Sequence, residues 1–329
     1  MQRRYLVIAA VLVCGGAWKF FQNYRIAGLD HLEFKPRGAA TTADAETGAA
    51  VLPVAQRTSG TIRIGSFRIQ AFDNAKLHQP RTMNLLAETV RRFDVLAIQG
   101  LQAPAGDVLP RLVELVNSTE RHYDFVAGPR LGRGADAEQY AVLFDGASIE
   151  VDRSVLYTVH DPDDLLKREP LVAWFRVRGP PPNQAFTFTL VDFDVDPEQT
   201  AAELSTLADV YRAVRDDGRG EDDVILLGNL NADEAHLGRL GEISSLLPAI
   251  SGLATNTRGD KQLDNILLSK AATVEFTGRS GVFDLIRQFN LTTEDALGIS
   301  DHMPVWAEFS IYEGGQGGRL AAQADPDRK

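Results

Sequence analysis

The sequence predicts an α+β fold in which two β-sheets pack face to face and helices cover their outer surfaces. Short apolar or alternating runs of strand length recur through the middle of the chain. Helical spacing of apolar residues separates several of these runs. Apolar residues make up 44% of the 329 residues, enough for a substantial core. Strands and helices mixed in this way are typical of a sheet-on-sheet core flanked by helices.

The predicted elements follow one another through the middle of the chain. Ile62–Ile69 alternates like a half-buried strand, and Arg81–Phe93 places Leu85, Leu86 and Val90 on one helical face. The further strands are predicted at Val95–Gln99, Tyr140–Phe144, Val151–Tyr157, Leu171–Val177, Phe186–Phe193, Val224–Leu227, Ile266–Leu268 and Val305–Ile311, and the further helices at Val108–Asn117 and from Pro197 to about Arg215.

The two ends of the chain differ in composition from the middle. Arg3 and Arg4 precede an apolar run that ends at Trp18, which predicts either a signal anchor or a cleaved signal peptide. Basic residues before such a run favour a domain outside the cytoplasm, either membrane-anchored or exported. The expected segments are 1–22 (signal anchor or signal peptide), 23–60 (linker), 61–313 (globular domain) and 314–329 (disordered tail).

Charge and cysteine content exclude some classes of function. The formal net charge is −11 and the isoelectric point is about 5.1, so the chain as a whole is not attracted to a nucleic-acid backbone. A local basic cleft is still compatible with that charge. The single cysteine, Cys14, excludes internal disulfides and cysteine-rich metal sites.

Chemically useful residues stand where several predicted strands begin or end. Asp301 and His302 directly precede the last strand, on a loop from which a scaffold can direct side chains into a cleft. The aspartate offers a hard oxygen ligand, and the histidine is a proton carrier that titrates near neutral pH. The other positions of this kind are Gln99, Gly100, Asp194, Asn229, Asn231 and Asp264.

A series of short motifs runs through the predicted domain in one order. The motifs are Gly65-Ser66-Phe67, Asp94-Val95-Leu96-Ala97-Ile98-Gln99, Glu138-Gln139-Tyr140, Arg168-Glu169-Pro170, Asp196-Pro197, Gly228 with Asn231-Ala232, Asp264, and Ser300-Asp301-His302 with Pro304. This series resembles the deoxyribonuclease I-like endonuclease/exonuclease/phosphatase superfamily over nearly all of residues 61–311. The resemblance implies a four-layered α/β/β/α sandwich of two mixed sheets, and hydrolysis of phosphoester bonds with Mg²⁺ or a similar ion.

The resemblance also implies roles for individual residues. Asp301 would help to bind the metal, and His302, oriented by Asp264, would carry a proton or contact phosphate. Arg168 would contact phosphate, because a planar guanidinium suits that geometry. The remaining implied roles are positioning of the attacking water or the phosphate by Asn231 and orientation of a second histidine by Glu138.

Several family positions carry a residue of different chemistry. Gly100 stands in place of a metal-binding glutamate, and Asn229 in place of an aspartate. Asp194 replaces the second histidine and cannot serve as a cationic acid at neutral pH. Arg68 replaces an asparagine beside the metal. Because these residues act as one catalytic unit, losing several of them leaves only a residual rate.

Two functional hypotheses are compatible with such a site, beside a third, an exported structural protein without a ligand in the cleft, that has no feature of its own. The favoured one is a membrane-tethered or exported domain whose hydrolytic centre has decayed, so that it acts as a binding module without a metal. The alternative is a divergent phosphodiesterase, nuclease or phosphatase, with Mg²⁺ or Mn²⁺ on Asp301, Asp264 and an acid such as Asp73 or Glu138. The expected partner is the membrane, through the N-terminal segment. A phosphoester or nucleic-acid ligand and a protein partner are left open.

Two contacts are predicted at the altered positions. Glu138 and Asp194 should face each other and share a proton or recruit a cation, because close carboxylates raise one pKa. Arg68 should enter the former metal position and pair with Asp301 at hydrogen-bonding distance, because its planar fork suits a carboxylate. The second contact would make the site free of metal.

Overall fold

The computed structural model describes residues 60–104, 106–132 and 137–318. The expected signal anchor or signal peptide, the linker up to residue 59 and the tail from residue 319 lie outside these ranges. The first residues of the expected tail belong to a 3₁₀ helix, Glu313–Gly318. Within the described ranges, no helix has both the length and the apolar character that crossing a membrane requires.

Twelve strands in the described residues form two sheets of six strands each. They are β1 (Thr61–Phe72), β2 (Val95–Leu101), β3 (Tyr123–Leu131), β4 (Glu138–Asp145), β5 (Ile149–Thr158), β6 (Leu171–Val177), β7 (Thr187–Asp194), β8 (Val224–Asn229), β9 (Leu246–Pro248), β10 (Asp264–Ser269), β11 (Phe276–Val282) and β12 (Val305–Ser310). The strand orders are β11-β12-β1-β2-β4-β3 and β5-β6-β7-β8-β10-β9. The pairs β1–β2 and β7–β8 are parallel among antiparallel neighbours, so both sheets are mixed, as predicted.

Helices cover the outer face of each sheet. They are α1 (Asn74–Leu77), α2 (Pro80–Val90), α3 (Val108–Asn117), α4 (Thr200–Arg215), α5 (Gly238–Gly241), α6 (Leu285–Phe289) and α7 (Thr293–Ile299). Side chains of α2, α3 and α7 form one apolar cluster with the outer face of the first sheet, and those of α4 form another with the second sheet. The four-layered sandwich implied by the resemblance is confirmed.

The central core lies between the two sheets and follows from the two-residue period of a strand. In β1, Ile62 and Ile64 point into the space between the sheets, whereas Phe67 and Ile69 point to the helices. Across from them, Phe188 belongs to the same central cluster. Each fully buried side chain of this size stabilises the fold by about 1.5–3 kcal/mol.

One helix begins later than the sequence predicts. Helix α4 starts at Thr200 rather than at Pro197, because Asp196 first closes a turn. The Asp196 side chain accepts the backbone N–H of Glu198, and its carbonyl oxygen accepts that of Gln199. A short aspartate side chain commonly folds the following residues in this way.

Candidate functional site

The candidate site lies at one end of the layer between the two sheets. In β7, Phe188 and Leu190 face the central core, and the alternation continues on the same face with Asp192 and Asp194. The same rule turns polar side chains inward at the ends of the neighbouring strands. These are Arg68 on β1, Gln99 on β2, Glu138 on β4, Asn229 on β8 and Asp264 on β10.

Asp194 lies at the centre of a buried ionic network and is only 2% exposed. The Arg68 Nε–H group donates to both carboxylate oxygens at 3.2 Å, and Arg168 Nη2 donates at 2.9 Å. Asn229 Nδ2 donates to the same carboxylate at 2.8 Å. Burial alone raises the pKa of Asp194, but the Arg68 and Arg168 charges outweigh it and hold that pKa below its usual value. Asp194 is therefore ionised at neutral pH.

Arg168 lies between the two carboxylates that were expected to face each other. Its Nε lies 3.6 Å from Glu138 Oε2, and its Nη2 lies 2.9 Å from Asp194 Oδ2. The cation that this pair was expected to recruit is therefore an arginine of the chain itself. Because Arg168 is only 7% exposed and engaged with both carboxylates, its partners in the structure are these acids rather than an open phosphate position.

Arg68 pairs more closely with Asp194 than with Asp301. Arg68 Nη1 lies 3.9 Å from Asp301 Oδ1, an ion-pair distance that is longer than a hydrogen bond. The predicted hydrogen-bonding contact between Arg68 and Asp301 is therefore wrong. The Asp301 side chain is 41% exposed and that of Asp194 only 1%, so the buried carboxylate gains more from the guanidinium. Arg68 nevertheless stands between the two acids.

His302 and Asp264 form a second buried pair. Nδ1 of the histidine lies 2.8 Å from Asp264 Oδ2, and the Thr255 hydroxyl donates to the same oxygen at 2.8 Å. Burial lowers the pKa of His302, but the Asp264 charge outweighs it, so the pKa is raised above its usual value. His302 Nε2 lies 3.9 Å from Asp301 Oδ1. Asp264 thus holds Nδ1 of His302, and the opposite ring nitrogen lies on the side of Asp301.

Asn231 lies beside this network and is held by the backbone. Its side-chain nitrogen donates to the carbonyl oxygen of Val195, and its backbone N–H donates to Asn229 Oδ1 at 3.0 Å. The residue has a φ of 50°, a left-handed conformation that asparagine tolerates better than most residues. The contacts fix the direction of the Asn231 amide relative to Asn229.

Gly100 occupies a point on β2 where no side chain fits. Its φ is 81°, and a Cβ atom there would lie 2.3 Å from the carbonyl oxygen of Ile69. The pairing of β2 with both of its neighbours shifts register at this point, as in a β-bulge. The missing carboxylate is therefore a feature of the backbone and not only of one side chain.

Comparison with known proteins identifies the lineage of this arrangement. A sequence profile described as the endonuclease/exonuclease/phosphatase family matches residues 65–302. Deoxyribonuclease gamma of Rattus norvegicus is 30% identical over 268 residues, which cover 76% of this chain and 84% of that protein. Deoxyribonuclease-1-like 1 of Sus scrofa is 33% identical over 260 residues, covering 75% and 81%. The chain belongs to the endonuclease/exonuclease/phosphatase family.

Solved structures with low sequence identity share the fold of this family member. A truncated TDP2 of Caenorhabditis elegans has a TM-score of 0.53 at 16% identity, covering 76% of this chain and 98% of that one. The catalytic domain of human Nocturnin has a TM-score of 0.52 at 16% identity, covering 77% and 95%. At this identity the likeness concerns the fold alone.

The metal that the endonuclease/exonuclease/phosphatase family implies does not fit the residues at this site. A divalent ion requires several hard, negatively charged oxygens. Gly100 has no room for a ligand side chain, and Asn229 donates its amide to Asp194. Asp301 remains as a possible metal ligand, and Arg68 Nη1 lies 3.9 Å from its Oδ1. A positive charge so close opposes a second cation.

One buried residue of the site, Asp192, was not predicted from the sequence. Asp192 is fully buried, and Gln99, which was predicted, donates a hydrogen bond to it across the two sheets. Burial raises the pKa of the Asp192 carboxyl group well above its usual value. The two-residue period of β7 places Asp192 on the same face as Asp194, and this pattern could have identified Asp192 as a site residue.

Proposed function

We propose that this family member is a domain outside the cytoplasm, membrane-anchored or exported, whose hydrolytic centre is impaired and which acts by binding. The observation that carries the proposal is the position of Arg68, whose Nε lies 3.2 Å from Asp194 and whose Nη1 lies 3.9 Å from Asp301. A fixed guanidinium provides the positive charge that a metal ion would otherwise provide. It cannot exchange ligands or activate a water molecule as a metal ion does.

The remaining residues support a loss of hydrolysis for separate reasons. Asp194, in the position of the second histidine, is ionised and has no proton to give to a leaving group. Asn229, in the position of an aspartate, is neutral and donates its amide to Asp194, so it is no base. No small movement of a side chain would make Asp194 a proton donor or Asn229 a base. Proton transfer is thereby left to His302 alone.

A cavity beside the site supports a binding role. It has a volume of about 940 Å³ and adjoins Asn231. Its wall carries the acids Asp233, Glu234 and Asp260, with Lys261 as a basic neighbour. A wall with this excess of acid favours a neutral or cationic ligand over a phosphate backbone.

The N-terminal sequence favours a location of the domain outside the cytoplasm. Arg3 and Arg4 before the apolar run are the arrangement of a signal anchor or a signal peptide. A reporter enzyme that is active only outside the cytoplasm, fused after Lys329, should be active. Activity of a cytoplasm-specific reporter alone at that position would contradict this part of the proposal.

The alternative function, a divergent metal-dependent phosphoesterase, is favoured by one observation. His302 and Asp264 keep the geometry of a histidine oriented by a carboxylate, at 2.8 Å. Of the additional acids considered as ligands, Asp73 caps α1 by accepting the N–H groups of Ala75 and Lys76. Glu138 contacts Arg168 at 3.6 Å. These engagements weaken the alternative.

Hydrolysis by the full chain separates the two functions. A generic phosphodiester, a phosphomonoester and plasmid DNA are incubated with the protein in Mg²⁺, in Mn²⁺ and in chelator. The proposal expects the same background rate for the wild type and for His302→Ala, which controls for contaminating nucleases. Metal-dependent turnover that His302→Ala abolishes would establish the phosphoesterase and overturn the proposal.

A further inference from the structure

A group of three acids, two of them buried, lies at the end of the sandwich opposite to the candidate site. Asp223 directly precedes β8, whose far end carries Asn229. At about 3.3 Å per residue, the two ends of this strand lie roughly 20 Å apart. Glu275 directly precedes β11, and Glu313 opens the 3₁₀ helix. One carboxylate oxygen from each of these three acids lies within 4.8 Å of the others.

Two of these acids present buried oxygens that lack a hydrogen-bond partner. Asp223 and Glu275 are each only 1% exposed. Asp223 Oδ1 and Glu275 Oε2 are buried without a partner. A buried carboxylate oxygen with no partner is costly, because it has lost its water and gained nothing in exchange. Such atoms point to a ligand that binds between them.

Backbone groups hold the outer oxygens of the same acids. The N–H of Gly314 donates to Glu275 Oε1, and the N–H of Thr187 donates to Glu313 Oε2 at 3.2 Å. In Glu275 and in Glu313, one carboxylate oxygen is held by a backbone N–H group, and the second oxygen is left to bind an ion. In metal sites, hydrogen bonds of this kind orient the residues that bind the metal.

We propose that Asp223, Glu275 and Glu313 form a structural calcium site. Ca²⁺ binds carboxylate oxygens in flexible geometry and accepts water for the remaining positions, which the exposed Glu313 allows. All three ligands are oxygens, which suits Ca²⁺ rather than a metal that prefers nitrogen or sulfur. The ion joins β8 of the second sheet to β11 of the first sheet and to the C-terminal 3₁₀ helix.

Terbium luminescence tests the site in the full chain, because Tb³⁺ replaces Ca²⁺ at oxygen sites and emits when a nearby tryptophan is excited. Trp174 Nε1 donates to Glu221 at 2.9 Å, and Glu221 in turn accepts the backbone N–H of Asp223. Tryptophan excitation of the chelator-treated protein with Tb³⁺ should give saturable emission that Ca²⁺ displaces. Trp174→Phe should remove most of that emission.

Three variants with the same change of charge identify the ligands. Glu313→Gln should lower the Ca²⁺ affinity by about ten-fold or more, since even outer-shell changes at metal sites cost this much. Glu242→Gln, an exposed acid outside the cluster, should leave it unchanged. Asp223→Asn, of the same shape as aspartate, provides a second ligand variant that preserves packing.

The thermal unfolding midpoint gives a second readout, because an ion that binds only the folded state stabilises it. Ca²⁺ should raise the midpoint of the wild type and of Glu242→Gln, and raise it much less in Glu313→Gln. Absence of both displaceable Tb³⁺ emission and a Ca²⁺-dependent midpoint in the wild type would overturn the proposal. Equal Ca²⁺ affinities in wild type and Glu313→Gln would also overturn it. Hydrolytic activity does not enter either readout.

Discussion

At position 68 an arginine stands where the resemblance to the family implies an asparagine, and its positive charge lies inside the site. The guanidinium enters the layer between the sheets and binds the buried Asp194, while Asp301 stays at ion-pair distance. Arg168 and Asn229 complete the shell around Asp194. The buried anion is therefore compensated by charged and polar groups of the chain itself.

Replacement of Arg68 by asparagine should therefore destabilise the protein. Arg68→Asn removes charge-assisted hydrogen bonds to a carboxylate that stays buried, which should cost about 1.5–3 kcal/mol of unfolding free energy. Urea unfolding followed by circular dichroism measures the change. Arg81→Asn is the control, since its ion pair with Asp295 is exposed and should contribute within about 0.5 kcal/mol. Equal stabilities of the two variants would contradict the role given to Arg68.

The pKa of His302 depends on its pairing with Asp264. Burial lowers the pKa of His302, but the charge of Asp264 raises it by more. Asp264→Asn should therefore give His302 a lower pKa than in the wild type. Since the folded-state pKa is raised, the pair stabilises the fold fully below the unfolded-state pKa of about 6.5. That stabilisation is lost as the pH rises through the folded-state pKa of His302.

The His302 titration is measured from its imidazole proton signals by NMR, with His302→Ala to assign them. Asp209→Asn, an exposed acid on α4, is the control and should leave the titration unchanged. A His302 pKa that is the same in Asp264→Asn and in the wild type would show that Asp264 does not set it.

At the scale of elements, the path of β2 beside β1 decides what the site can hold. The register between these strands shifts after Arg68 and Gln99, and Gly100 lies in the irregular stretch with a φ of 81°. A Cβ atom would meet the Ile69 carbonyl oxygen at 2.3 Å. A glutamate at this position, as the resemblance implies for the family, would therefore require a different backbone.

Alanine substitution measures this backbone constraint. Gly100→Ala should be less stable than Gly218→Ala by about 1–3 kcal/mol, the usual cost of forcing extra atoms into packed structure. Gly218 is a matched control, because its φ of 85° imposes a similar conformational cost while nothing lies within 4 Å of its Cβ position. Chemical unfolding of both variants gives the difference. Equal losses of stability in the two variants would mean that β2 moves away from the Ile69 carbonyl oxygen without cost.

Some elements and contacts could be predicted from the sequence, and others could not. Helix α3 has the predicted bounds, Val108–Asn117, because its apolar residues keep helical spacing. Strand β3 was missed, since Gly128 and Pro129 interrupt its alternation. The pairing of Arg68 with Asp194 was also missed. Alternation gives the face on which a side chain lies, whereas partners across two sheets depend on packing distances that no local pattern encodes.

At the scale of the whole molecule, the charge of −11 is consistent with a domain that does not track along DNA. The full chain should show no retention of duplex DNA in mobility-shift assays at physiological salt, with or without Mg²⁺. A basic nonspecific DNA-binding protein serves as the positive control. Salt-sensitive retention of DNA by the wild type would reveal a local basic surface strong enough to overcome the net charge, and would favour the nuclease alternative.

Whether a metal ion binds beside His302 can be measured directly by NMR. Mn²⁺ is paramagnetic and broadens the NMR signals of nuclei close to it. It is titrated into the Glu313→Gln variant, so that the distant calcium site does not compete. If the Arg68 guanidinium occupies the place of the metal, the assigned His302 imidazole signals should stay sharp while Mn²⁺ is added to millimolar concentration. Selective broadening of those signals at low Mn²⁺, reversed by chelator, would contradict the account.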